Sequence, residues 1–310
     1  MELSPSLTGG SSILEAPPAL PMLSTVTKLR IARLLYLTAT TLRRPFGGKD
    51  LVEVWRRGVR WRLDLREGID LTIYLAGAFE PNTLRCLEQN VRPGATVLDI
   101  GANVGAHTLH LARLAGPAGH VFAFEPTAFA FDKLRANLGL NPGLATRVSA
   151  RQVFLVSRDG EKSGSSVASS WPVDGRMPDD AVMGSRSMDV TGSACLTVDA
   201  VMAEAGNPEV QLIKMDVDGH ELDVLNGARA LLTRSRPTIV MELAPYAFNP
   251  RDDFDRMVSL LLDLGYTLRP LHSKRPLPRD LAQLRRLVPA RGSMNVVAVP
   301  PQEGGEGACA

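Results

Sequence analysis

Four short stretches of this chain end an apolar run close to an acid, and each acid is a candidate for chemistry. Val97–Gly105 reads VLDIGANVG, with Asp99 inside the run and glycines at 101 and 105. His120–Pro126 reads HVFAFEP and delivers Glu125. Leu212–Glu221 reads LIKMDVDGHE and carries Lys214, Asp216, Asp218 and Glu221. Pro237–Pro245 reads PTIVMELAP and carries Glu242. Carboxylates in such places can bind a cation, accept ribose hydroxyls or take up a proton.

The glycine stretch is the most selective. Gly101 and Gly105 let the backbone turn sharply from strand to helix and approach a ligand. The helix start beyond them favours an anion such as a pyrophosphate, and an acid at Asp99 opposes one. A ligand bearing an ammonium and a sulfonium tolerates that acid. The turn therefore suits S-adenosylmethionine better than NAD. Asn103, at the predicted helix start, can cap the helix and offer its amide to the ligand. Glu125 follows Gly105 at a spacing that lets a strand-end acid hold both ribose hydroxyls, a spacing shared with NAD sites.

Lys214 and Asp216 are two apart on a predicted strand and so point to one face. Asp216 is expected at the ligand edge as proton acceptor or orienting group, tuned by Lys214, with Glu221 and Glu242 as alternates. Asp218 and Glu221 also fit plain capping of the next helix. Asp216, Asp218 and Glu221 could instead hold a divalent cation, but their spacing matches no known metal loop and no metal is assigned. His220 and His272 are further proton-transfer candidates, although a lone histidine is more often structural.

These residues need a scaffold that brings strand ends together. Predicted strands at TVLDI, HVFAFEP, ATRVSARQVFLVS, VQLIKMDVDG and PTIVMELAP alternate with helical patterns at 103–114, TAFAFDKLRANLGLN, LTVDAVMAEAG, HELDVLNGARALL and 252–264. Such alternation predicts a mostly parallel sheet covered on both faces. YTLRPL and MNVVAVP are expected to close it as an antiparallel edge hairpin, joined by a Pro/Arg-rich loop with no apolar helix between. Ligands of open α/β sheets sit at the carboxyl ends of the strands, near the switch in strand order. Residues 158–193 are polar and weakly periodic, and read as an insertion with a hairpin and a loop.

Upstream, LVEVWRRGVRWRLDL suggests a hairpin, and GAFEPNTLRCLEQNVRPG a loop and helix. KLRIARLLYLTATTLRR, residues 28–44, predicts a basic amphipathic helix with Leu34, Leu35 and Leu42 at near-helical spacing. Such a helix can lie on a membrane surface, touch nucleic acid, pack on its own domain or join a second subunit. The expected division is an N-terminal extension (1–48), a lead-in hairpin and helix (49–92), a cofactor-binding domain (93–300) and a disordered tail (301–310).

Composition sets outer bounds. The chain has 310 residues, 45% hydrophobic, enough for a sizeable core. The formal charge of +2 gives no whole-chain argument for nucleic acid. Cys86, Cys195 and Cys309 share no disulfide or zinc spacing, and Cys86 reads as a buried apolar side chain. With no apolar run of membrane-spanning length and no secretory signal, a soluble, cytoplasmic protein is expected.

Taken together, DIGANVGAHTLHLA, FAFEP with RANLGLN, LTVDAV, IKMDVDGHELDVLNGA, IVMEL and the earlier FEPNTLRCL resemble the FkbM family of S-adenosylmethionine-dependent methyltransferases over Gly77–Val299. The resemblance implies a class I, Rossmann-like three-layer αβα sandwich with a mostly parallel seven-stranded sheet and an antiparallel edge hairpin. It implies methyl transfer, usually to a hydroxyl of a small molecule or sugar. By the same resemblance, Asp99, Gly101, Asn103 and Gly105 line the methionine moiety and Glu125 holds the ribose. Glu80 reaches the cofactor or closes the pocket, and Asp216 lies below the sulfonium. The family commonly has Glu where Asp218 stands, and the segment after the third strand is unusually long here. Alternatives are a nucleic-acid methyltransferase guided by the basic helix, an NAD-dependent oxidoreductase and a binding or scaffolding protein. A homo-oligomer through the N-terminal helix is also expected as an option.

Overall fold

A computed structural model describes residues 25–43, 45, 47–162, 164, 166–175, 185–248, 250, 252–288 and 292–301, with backbone alone for 25–30. The elements in chain order are α1 (Thr25–Arg43), β1 (Leu51–Arg56), β2 (Val59–Asp64), α2 (Gly68–Ala76), α3 (Pro81–Asn90), β3 (Thr96–Ile100), α4 (Thr108–Ala115), β4 (His120–Phe124), α5 (Ala128–Gly139), α6 (Pro142–Ala145), β5 (Val148–Arg151) and β6 (Val153–Leu155). Then follow β7 (Ser166–Ser170), β8 (Arg186–Asp189), β9 (Ala194–Leu196), α7 (Val198–Glu204), β10 (Leu212–Met215), α8 (Glu221–Asn226), α9 (Arg229–Ser235), β11 (Thr238–Leu243), α10 (Asp252–Asp263), β12 (Thr267–Pro270), α11 (Leu281–Leu287) and β13 (Met294–Val299).

Seven strands form one sheet in the order β12-β13-β11-β10-β3-β4-β5. β13 pairs antiparallel with both β11 and β12, while the β11-β10-β3-β4-β5 pairs are parallel. This is the class I, Rossmann-like arrangement. The strand order reverses at β3, whose neighbours are β4 on one side and β10 on the other, so a crevice opens at their carboxyl ends. Central strands are buried on both faces, which explains runs such as LIKM with no polar–apolar alternation.

One face packs Leu98, Ile100, Ile213, Met215 and Met241 against α7–α10. The hairpin β1–β2 and α2 supply Trp61, Leu63, Leu71 and Ile73 to a core shared with Val104, Leu109 and Leu134. Two polar ties fix that lead-in. Asn137 and Asn141 of α5 and its end accept the backbone N–H groups of Arg62 (2.8 Å) and Arg60 (2.9 Å). Fully buried Asp70 of α2 meets Lys133 of α5 at 2.7 Å. Cys86 is buried among apolar residues, as its sequence context implies.

Several predicted elements change shape. The helix expected from 103 starts at Thr108, because residues 101–107 are spent on the turn. The third strand region splits at Gln152: β5 joins the sheet, and β6 leaves it to pair with β9. HELDVLNGARALL breaks into α8 and α9 at Gly227, where a Cβ would lie 2.2 Å from the Val156 carbonyl oxygen. The connection between β12 and β13, expected to lack a helix, contains α11 with buried Leu284. The insertion forms the antiparallel pair β7–β8, and the tip of its loop, 176–184, lies outside the described residues, as does the 302–310 part of the tail. Among the described residues no helix is long and apolar enough to cross a membrane.

Candidate active site

The crevice is a cavity of about 510 Å³. Gly101, Asn103, Glu125, Lys214, Asp216, Asp218 and Glu242 line it from the strand ends, and Glu80 from the start of α3. One part of the wall is apolar, with Phe124, Pro126, Val153, Phe154 and Leu155; Phe79, Trp171 and Tyr246 contribute aromatic surface elsewhere. Ala32 of α1 also reaches it.

The first turn is held from below. Asp99 and Lys214 are register partners on adjacent parallel strands, so their side chains share a face. Lys214 Nζ lies 3.6 Å from Asp99 Oδ1 and 3.9 Å from Asp216 Oδ2, and donates to the Gly101 carbonyl at 3.0 Å. Thr108 donates to Asp99 Oδ2 at 2.6 Å. Asp99 is 0% exposed and stands beneath the cavity, not in its wall. The expected contact between Asp99 and a methionine moiety is thus replaced by a supporting role, because the carboxylate is committed to Lys214 and Thr108. Burial pushes the Asp99 carboxyl up, against the pull of Lys214. Burial works against the Lys214 charge too, but the three carboxylates Asp99, Asp216 and Glu80 outweigh it and hold the ammonium protonated.

The two glycines do different jobs. At Gly101 (φ +77°) an added Cβ would lie 1.9 Å from the Asp216 carbonyl oxygen, so β3 and β10 approach too closely there for any side chain. Gly105 (φ +89°) faces Leu134 of α5, with a Cβ 2.8 Å from its Cδ1, and does not line the cavity. Its expected contact with the cofactor becomes one with the α5 helix. Asn103 adopts a left-handed backbone (φ +48°) inside the turn, well before the helix it was expected to cap. Its amide donates to the Ser169 carbonyl at 3.3 Å.

Glu125 is 3% exposed and well held. Oε2 accepts the Asn103 N–H (2.9 Å), and Oε1 accepts the N–H (3.0 Å) and hydroxyl (2.6 Å) of Thr127. Burial raises its carboxyl, while these donors favour the charged form. Glu80, with a left-handed backbone at the N-cap of α3, accepts from Thr83 (3.0 Å) and from Asn295 of β13 (3.1 Å). Burial and the Asp216 charge raise it.

The opposite wall is different. Asp216, Asp218 and Glu242 place oxygen atoms within 4.8 Å of one another. Burial and then the Asp216 charge push Glu242 up to about 8; Asp218, an exposed residue whose carboxyl lies close to the same acids, is raised as well. Glu221, expected as an alternate proton acceptor and as a cation ligand with Asp216 and Asp218, is turned away: it accepts the N–H groups of Gly219 (3.0 Å) and Val217 (3.4 Å) and does not line the cavity. Its capping alternative is what the geometry displays, and Glu242 takes its place in the cluster. His220 lines the cavity beside Phe154 at 5.2 Å, whereas His272 is exposed and does not line it.

Sequence reasoning passed over His107, Ser169 and Trp171. His107 sits inside the turn, buried, with Nε2 lacking a hydrogen-bond partner among the described residues, and burial keeps it neutral. Ser169 and Trp171 come from the insertion; Trp171, a lone aromatic in a Ser/Gly-rich stretch, was the one signal that this segment builds a wall.

Comparison with known proteins decides the family. The family model described as the methyltransferase FkbM domain matches residues 99–268, more than half of the chain. The chain belongs to the FkbM methyltransferase domain family. Two curated relatives are the hexuronic acid methyltransferase AglP of Haloferax volcanii, 29% identical over 153 residues (48% of this chain, 56% of that one), and the 2-O-methyltransferase NoeI of Sinorhizobium fredii, 29% identical over 155 residues (47% and 62%). The chain thus matches little more than half the length of these relatives. Among solved structures, the FkbM methyltransferase of Methylobacillus flagellatus aligns with a TM-score of 0.41 at 14% identity, covering 76% of this chain and 61% of that one.

FkbM membership implies S-adenosylmethionine as the cofactor, and the donor set fits it. Glu125 offers carboxylate lone pairs to a ribose, the Phe124–Leu155 wall offers an apolar bed for an adenine, and the carboxylates of Glu80 and Asp216 suit an ammonium. A diphosphate would meet these same carboxylates and be repelled. The electrostatic selection first read from Asp99 would therefore fall to carboxylates that line the cavity, Glu80 and Asp216, rather than to Asp99 beneath it.

Proposed function

We propose that this FkbM-family chain is an S-adenosylmethionine-dependent O-methyltransferase acting on a hydroxyl of a sugar or other small polar molecule. The names of the two relatives, one a hexuronic acid methyltransferase and the other a 2-O-methyltransferase, support a sugar acceptor. The observation that carries the reading is the split of the cavity: a carboxylate held by backbone and hydroxyl donors, Glu125, beside an apolar wall, and a crowded acidic cluster, Asp216, Asp218 and Glu242, facing it.

Glu125, Gly101 and Asn103 would hold the adenosyl part, and Glu80 with Asp216 the amino-acid end. Bound there, S-adenosylmethionine supplies an activated methyl group. The chain's task is to hold the acceptor oxygen in line at a reacting distance of roughly 3–3.5 Å and to exclude water. Asp216 accepts the hydroxyl proton, its charge held near the buried Lys214 ammonium. Glu242, pushed up to about 8, is mostly protonated at neutral pH and donates a hydrogen bond to an acceptor oxygen.

The test is calorimetry with S-adenosylmethionine and with NAD, followed by a methyl-transfer screen of uronic acids and neutral sugars. S-adenosylmethionine binds and NAD does not; Asp216→Asn lowers kcat by roughly 10²-fold or more, the scale of a lost general base. An Asp216→Asn enzyme with undiminished kcat removes Asp216 from the proton transfer.

A further inference from the structure

The insertion reaches the cavity through Val167, Ala168 and Ser169 of β7 and through Trp171 just beyond it. β7 reads SVASS, with Val167 its one large apolar side chain, so apolar burial does little to hold it in place. Polar contacts do so from two sides. On the cavity side, Ser169 meets the residues around Glu125. Its hydroxyl lies 3.0 Å from the Thr127 hydroxyl and 3.5 Å from Glu125 Oε1, and its carbonyl accepts the Asn103 amide at 3.3 Å. The ribose-side carboxylate is therefore bordered by the turn, the end of β4 and the insertion together.

The other side of the strip is held by Glu67, at the N-cap of α2. An N-cap side chain ordinarily accepts an N–H of its own helix, but Glu67 makes no such bond. Its carboxylate is spent on a segment more than a hundred residues later. Oε2 accepts the Trp171 N–H at 3.1 Å, and the Ser170 hydroxyl lies 3.0 Å from Oε2 and 3.2 Å from Oε1. Two backbone bonds flank this contact: the Gly68 N–H donates to the Trp171 carbonyl and the Val173 N–H to the Arg66 carbonyl, each at 2.8 Å. Ser170 is buried, so without Glu67 its hydroxyl would lose the acceptor it has there. Neither Glu67 nor Ser170 lines the cavity. We propose that Glu67 is a positioning residue for S-adenosylmethionine: by pinning Ser170 and Trp171 to the start of α2, it sets Ser169 against Glu125 and Asn103. This role rests on Glu125 holding the ribose, as proposed above.

Calorimetry of the full chain with S-adenosylmethionine tests it. Glu67→Ala is expected to weaken binding roughly tenfold or more, and Ser169→Ala roughly three- to tenfold, the scale of one hydrogen bond. The double variant Glu67→Ala/Ser169→Ala should bind no more weakly than Glu67→Ala, because a released strip has no Ser169 contact left to lose. Glu67→Gln can accept the Trp171 N–H through its carbonyl and donate to the Ser170 hydroxyl through its amide, so it should stay within roughly threefold of the wild type. Unchanged affinity in Glu67→Ala overturns the proposal, as do losses that multiply in the double variant, the outcome of a role in stability alone. A Glu67→Gln variant as weak as Glu67→Ala overturns the pinning too, since it assigns the effect to charge. Should Glu67→Ala not fold, Ser170→Ala replaces it: binding is expected to weaken, the pair with Ser169→Ala must again be non-additive, and additive losses refute the role. A wild type that does not bind S-adenosylmethionine removes the reading of the cavity and this role with it. A wild type whose binding falls in Glu125→Gln but not in Glu67→Ala removes this role alone.

Discussion

Two sets of carboxylates, one in and beneath the wall of the cavity and one across from it, are held in opposite ways. On the turn side, Asp99 and Glu125 are almost completely buried, yet their oxygens meet Lys214, Thr108, Asn103 and Thr127. On the far side, Asp216, Asp218 and Glu242 crowd within 4.8 Å, and burial followed by the Asp216 charge raises Asp218 and Glu242. The first set is held by protein groups before any ligand arrives, with Asp99 Oδ1 facing Lys214 at 3.6 Å rather than hydrogen-bonded, so it can act as a fixed mould. The second set keeps mutual repulsion in reserve, which a cationic ligand or a proton relieves. On the function proposed above, preorganisation would belong to the first set and chemistry to the second.

The comparison breaks most visibly at Lys214, the cation nearest both sets. Lys214→Met strands Asp99 as a buried charge, and roughly 3–5 kcal/mol of stability is expected to go with it. Urea unfolding measures this, and the double variant Asp99→Asn/Lys214→Met should recover part of the loss. No recovery would mean that Lys214 matters through packing rather than through the pair.

A smaller effect is expected on the compensated side. Glu125→Gln keeps the shape but turns one acceptor into a donor, facing either the Asn103 N–H or the Thr127 pair. S-adenosylmethionine binding should weaken by about 1–3 kcal/mol, the worth of a hydrogen bond to a charged group. Calorimetry giving equal affinity would detach Glu125 from the ribose.

The third effect is a slope, small over any single pH unit. Glu242 has its native pKa raised to about 8 from an ordinary 4.5. Between those values the native state binds more protons than the unfolded one, so stability is full below about 4.5 and is lost as pH rises through 8. Each proton contributes at most about 1.4 kcal/mol per pH unit. Glu242→Gln should flatten the decline in this window. His110, lowered to about 4 by burial, acts oppositely: its contribution is lost as pH falls from 6.5 through 4. The variant difference cancels that background. Parallel pH profiles for both proteins would place Glu242 outside the repelling cluster.

How far the sequence reached depends on the kind of signal. Strands such as TVLDI and LIKM were legible because burial on both faces forces continuous apolar runs, and the glycine turn because only glycine accepts its backbone. The helix break at Gly227 was not, since its cause is the Val156 carbonyl, seventy-one residues earlier. Glu221 stood as an alternate to Asp216 because both follow the same strand; only the path of the turn sends one into the cavity and the other onto the Gly219 N–H. The wall formed by Ser169 and Trp171 left almost no trace, because the polar segment that carries it has no period of its own.

By itself the sequence determined the α/β architecture, the family and the strand ends at which acids gather. These follow from local rules: apolar period, glycine conformation and the order of motifs along the chain. Tertiary structure alone decided which acids are spent on support and which face the cavity. That choice rests on register and close approach between distant segments: Asp99 lies opposite Lys214 because β3 and β10 pair at that residue, and Glu242 joins Asp216 because β11 pairs with β10.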